Sequence, residues 1–163
     1  MSNWLSRVRR KWVGARSYTF AEKAMVPLAL LLLGAARLAI LFLPFRWYVG
    51  WLGTPTELEE NALPLDDAQD AISRSIGRAV RATAGVTPWK SVCLPQAIAA
   101  SILLKLRRIP HVTHFGLAPG EAAPDSAPMK AHAWIIAGER IVTGAPVLPE
   151  YRIVASFASP AST

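Results

Sequence analysis

Cysteine is almost absent from this chain: Cys93 stands alone among 163 residues. No internal disulfide can form, which excludes a disulfide-stapled scaffold and fits a reducing compartment. Acid is scarce too, with 11 Asp and Glu against 18 Lys and Arg, a formal net charge of +7. Charged residues make up only 18% and hydrophobic ones 52%, a balance that excludes an intrinsically disordered chain. The three histidines show no ligand spacing with Cys93 that would build a zinc site, and no metal or cofactor is expected. Internal repeats are missing. The basic residues cluster at Arg7, Arg9, Arg10, Lys11 and Arg16, and again at Lys105, Arg107 and Arg108. Neither cluster has the interleaved aromatics or reader motif of a nucleic-acid surface, so nucleic acid is not an expected partner.

What is present divides into helices first and strands after. Trp4, Leu5, Val8 and Trp12 recur at helical spacing between arginines, a basic amphipathic helix over residues 2–15. Thr19-Phe20-Ala21-Glu22 matches a capping box and predicts a second helix. The apolar run from Ala24 to Phe45 has the length of a membrane span. Arg37 inside it, Pro27 near its start and Pro44 at its end argue instead for a buried or partner-facing helix. No small-residue cleavage site follows, so no cleaved signal peptide is expected. Six of the eleven acids fall between Thr54 and Asp70, which reads as a linker ending in an N-cap at Asp66 with Gln69 three residues on. In the following helix Ala68, Ala71, Ile72, Ser75, Ile76, Ala79 and Val80 form an apolar stripe opposite Arg74, Arg78 and Arg81, and Gly85 ends it. A further helix over about Ser91–Arg108 is apolar nearly all round, the mark of a central buried helix. Strands are predicted at His111–Leu117, Ala131–Ile136, Arg140–Thr143 and Tyr151–Phe157. The order gives an α+β domain, with a helical segment over 1–53 and the main domain over 54–163.

The stretch Trp89-Lys90-Ser91-Val92-Cys93-Leu94-Pro95-Gln96 organises the rest. Pro95 is tolerated only in a first helical turn, which places Cys93 in the cap or first turn, with Ser91 as the candidate N-cap. There the unsatisfied amides and the positive end of the helix dipole favour a thiolate and can receive an oxyanion. A buried cysteine acting as a small hydrophobe is the alternative. Thiol hydrolases pair such a cysteine with a histidine on a strand beneath the helix, and Cys93 with His132 fits those two roles. His111 and His114 are rivals for the base, or ordinary surface residues of a short strand.

Pro88-Trp89 followed by Cys93-Leu94-Pro95-Gln96-Ala97 and Arg108-Ile109-Pro110 resembles the lasso peptide leader peptidases, as does Ala131-His132-Ala133-Trp134 leading into Ile135 to Arg140. The resemblance spans Thr87 to Thr143 and is looser upstream, at Leu43-Pro44-Phe45-Arg46. It implies a papain/transglutaminase-like core, its nucleophile cysteine at the start of a buried helix on an antiparallel sheet, with residues 54–163 as a cysteine protease domain. Cys93 would be the nucleophile and His132 the base, removing the leader from a ribosomally made precursor peptide. Implied partners are that precursor, a separate leader-recognition protein and an asparagine synthetase-like cyclase; no cofactor is implied. The family's third catalytic member, an aspartate about a dozen residues past the histidine, has no counterpart in Val142-Thr143-Gly144. Thr143, Glu139, Glu150 or a backbone carbonyl remain to orient the imidazole. A silent adaptor holding precursor and cyclase, or an acyltransferase that resolves a thioester with an amine, are the other readings. Residues 1–53 are expected to dock a partner of a cytoplasmic protein, with peripheral membrane attachment as the second choice.

Overall fold

The computed structural model describes residues 20–57, 64–89, 91–120, 128–147 and 149–160. The expected basic helix over 2–15 and Thr19 of the capping box lie outside the described residues. In chain order come α1 (Phe20–Phe42), the short α2 (Phe45–Tyr48) running into a 3-10 turn (Val49–Trp51), β1 (Thr54–Thr56), α3 (Asp67–Ala84) and α4 (Cys93–Leu106). Then follow β2 (His111–Pro119), β3 (Met129–Ala137), β4 (Arg140–Thr143) and β5 (Arg152–Ser159). The strands form one sheet in the order β1-β5-β2-β3-β4, with antiparallel pairing throughout. Helices α1, α3 and α4 pack on one another, and α3 and α4 lie against the sheet, an α+β architecture.

Local chemistry explains the helix ends. Asp66 Oδ1 accepts from the Gln69 N–H at 2.7 Å while Gln69 Oε1 accepts from the Asp66 N–H at 3.2 Å, the reciprocal capping box expected for α3. Gly85 closes the same helix. Helix α1 runs through Pro27 and stops two residues short of Pro44. Its Met25, Ala29, Leu33, Ala36 and Ala39 belong to the same core as Ile76 and Val80 of α3 and Ile98 and Leu104 of α4. Helix α4 is buried nearly all round, as its composition requires.

Two expectations need correction. The run after Thr54 is more than a linker: Thr54–Thr56 pairs with β5 as an edge strand. Three residues are too few to show a two-residue alternation, and an edge is where Pro55 is tolerated. The buried stripe of α3 is also turned from the expected one. Ala68 and Ala71 are exposed, while Ser73 and Gly77 are buried with Ile76, Ala79 and Val80. Gly77 sets this, because a Cβ there would stand 2.5 Å from the Val142 carbonyl oxygen of β4. Closest approach to the sheet is therefore at Gly77, with Arg81 donating to the same carbonyl. Asp70 adds a second tie, bonding Arg140 of β4 at 2.9 and 3.1 Å. Hydrogen bonds from Arg140 and Arg74 hold its carboxyl down at about 2.

Candidate active site

Cys93 is the first residue of α4, half-buried, with Pro95 in the first turn as its missing N–H demands. The N-cap is Val92, not Ser91, and no side chain caps the helix. Ser91 is engaged elsewhere: its Oγ lies 2.9 Å from Thr87 Oγ1, and its carbonyl accepts from Gln96 Nε2 at 2.7 Å. Thr87 also donates toward the Ala84 and Trp89 carbonyls, so the loop before the cysteine is tied to the end of α3. Trp89 packs over Gly34 of α1, where a Cβ would meet its ring at 3.7 Å. The loop chemistry thus removes the expected cap and leaves the amides at the start of α4 without a side-chain acceptor. They are free to receive an anion.

Helix α4 runs antiparallel to β2. Ser101, past its middle, lies against His111 at the start of β2, and the chain reverses between them. The Cys93 end therefore lies toward the far end of β2, where Gly116 pairs with His132. On β3, Ala133, Ile135 and Ala137 belong to the helix-side core, and His132 and Trp134 alternate to the other face. Strand β4 pairs with β3 only from Ile135 to Ala137, so that edge of β3 has no β4 partner at His132. His132 thus stands on the sheet face away from α4, and the two groups share only one end of the sheet. No hydrogen bond joins them among the described residues.

The imidazole of His132 is held firmly. Its Nε2 lies 2.6 Å from the Gly144 carbonyl oxygen, and its ring stacks on Trp134 at 5.9 Å and tilts against Tyr151 at 5.1 Å. A carbonyl can only accept, so this bond puts the proton on Nε2 and leaves Nδ1 as the basic nitrogen. Gly144 stands twelve residues past His132, with φ +85°, and a Cβ there would be 2.5 Å from the Ala133 carbonyl oxygen. Of the other groups considered for this task, Thr143 is buried with no partner for its Oγ1 among the described residues, and Glu139 and Glu150 are exposed in turns. None of the three bonds His132 among the described residues. Trp134 and Tyr151, whose rings contact the imidazole, were not legible beforehand. Trp134 sits two residues from His132 on a strand, a spacing that places both on one face, and this was the available signal.

His111 and His114 are not surface residues. His111 is 1% exposed, its Nδ1 donating to the Ile109 carbonyl at 2.9 Å and its Nε2 facing Ser101 Oγ at 2.8 Å. His114 is buried with Nδ1 2.8 Å from Ser156 Oγ, its cross-strand neighbour. A nine-residue strand covered on both faces buries them where a short surface strand would not. Burial lowers the pKa of both, that of His111 to about 4, with nearby Lys105 adding to the effect. Because the unfolded chain takes up a proton near pH 6.5 and the folded one resists it, stability from His111 is complete above 6.5. It is lost as pH falls from 6.5 to about 4, by roughly 3 kcal/mol. Urea midpoints should fall steadily between pH 7 and pH 4.5, and His111→Gln should reduce that slope, leaving the part contributed by His114, which burial lowers in the same direction. A midpoint constant over this range would contradict it; Asp70 titrates lower.

A family model described as the transglutaminase-like superfamily matches residues 38–156. No curated protein and no solved structure matches the chain.

Proposed function

Because the chain belongs to the transglutaminase-like superfamily and has its papain-like α+β core, we propose that it is a cysteine peptidase that removes the leader from a ribosomally made lasso peptide precursor. The observation that carries the reading is the placement of the only cysteine, as first residue of a buried helix with no side-chain cap. The finer substrate assignment rests on the sequence resemblance at Cys93-Leu94-Pro95-Gln96 and Ala131-His132-Ala133-Trp134. A separate leader-recognition protein would deliver the precursor, and an asparagine synthetase-like cyclase would take the core peptide.

In this mechanism His132 Nδ1 takes the Cys93 thiol proton, and the thiolate attacks the scissile carbonyl carbon. The N–H groups of Cys93 and Leu94, with no side-chain acceptor, receive the oxyanion. The C–N bond breaks as the imidazolium returns its proton to the leaving amine, and water then hydrolyses the thioester. Sγ and Nδ1 must come within hydrogen-bond reach in the substrate complex, where such contacts commonly tighten. That no hydrogen bond joins Cys93 and His132 among the described residues favours, as a second reading, a silent adaptor that holds precursor and cyclase.

Intact-mass measurement of the protein with precursor and recognition partner separates these readings. A peptidase gives free leader and a transient acyl adduct on Cys93. Transfer of the acyl group to an added amine in preference to water would assign an acyltransferase. Neither adduct nor product, with the precursor still bound, would leave the adaptor.

A further inference from the structure

Helix α1 carries two apolar stripes, and the fold uses only one. Ala29, Leu33 and Ala36 are fully buried against α3 and α4. On the opposite side of the wheel, Leu31 is 71% exposed, Leu38 57% and Phe42 77%. Past the helix end Phe45 and Trp47 are exposed as well, the latter 63%. Isolated exposed leucines are ordinary; a helical stripe of them followed by an exposed tryptophan is not.

Charge names the occupant. The first 56 residues hold eight Lys and Arg against one acid, Glu22. Arg46 lies beside Trp47 and is exposed, and Lys105 donates to the Gly50 carbonyl at 2.9 Å, bringing the basic end of α4 to the same corner. Arg107 and Arg108 are exposed there too. We infer that the outer face of α1 rests on an anionic lipid surface, with the Leu31–Leu38–Phe42 stripe in the acyl boundary and the basic corner among the headgroups. An apolar stripe, interfacial aromatics and a basic rim together suit that boundary. A second copy would set one basic rim against another, which charge opposes.

The helix lies along the surface and does not cross it. By length and composition Met25–Phe42 could span a bilayer. Spanning would strip Leu33, Ala29 and Ala36 from α3 and α4 and expose the core to lipid. The inference does not depend on the peptidase reading.

The test is co-sedimentation of the full-length protein with phosphatidylcholine vesicles, with and without about 30% phosphatidylglycerol. The protein should pellet with anionic vesicles and much less with neutral ones, and carbonate should release it. Leu31→Glu/Leu38→Glu should lower binding at least about tenfold. Circular dichroism and Cys93 alkylation should match the unsubstituted protein, since both leucines are exposed. No pelleting, equal binding to both vesicle types, or resistance to carbonate would each overturn the inference. So would lipid-free self-association, or capture by an acidic protein partner, that the double variant abolishes while vesicle binding is unchanged.

Discussion

Cys93→Ala is expected to lower leader cleavage by at least about three orders of magnitude while leaving the fold intact. The side chain is small and half-buried at the edge of the core, so its truncation opens no large cavity. What disappears is the only thiol in the chain, and no other residue can form the thioester. His132→Ala should show a loss of similar size, and the double variant little more, because a nucleophile and its base act as one unit. Single-turnover cleavage of the partner-bound precursor, followed by mass spectrometry, measures this. Cleavage that survives in Cys93→Ala removes the enzyme proposal. If cleavage instead stops in His114→Gln with His132→Ala still active, the base has been assigned to the wrong histidine of the sheet.

Gly144→Ala is expected to produce the second largest effect, a fall in kcat of about ten- to a hundredfold with KM little changed. The backbone there has φ +85°, and an added Cβ would lie 2.5 Å from the Ala133 carbonyl oxygen and 2.6 Å from Trp134 Cβ. Neither atom is the end of a flexible chain, so the turn itself must move, at a cost of roughly 1–3 kcal/mol in stability. Moving the turn displaces the carbonyl that holds His132 Nε2. Gly144 is a positioning residue: it acts on substrate only through the imidazole. Its signature is a changed pH profile of kcat together with unchanged alkylation of Cys93, which a general loss of folding would not give. A variant with full kcat and an unaltered profile would mean that the carbonyl does not orient the base.

The relation between Gly144 and His132 marks how far the chain could be read in one dimension. Elements set by local chemistry were legible: the Asp66/Gln69 capping box, the Gly85 stop, Cys93 in the first turn ahead of Pro95, and the strand bearing His132. Each depends on groups within a few residues of one another, and such signals survive without a fold. What faces what was decided by tertiary packing. Gly77 turned the buried stripe of α3 by bringing its backbone against Val142, 65 residues on. Thr87 drew Ser91 away from the helix it was expected to cap. His111 and His114 read as rival bases or surface residues of a short strand, and packing of the sheet buried both. The aspartate that the resemblance implies is missing from the sequence, yet a backbone carbonyl twelve residues past His132 accepts a hydrogen bond from its Nε2. A carbonyl is present at every position and so leaves no trace in residue identity. Only the turn that aims it makes it a partner.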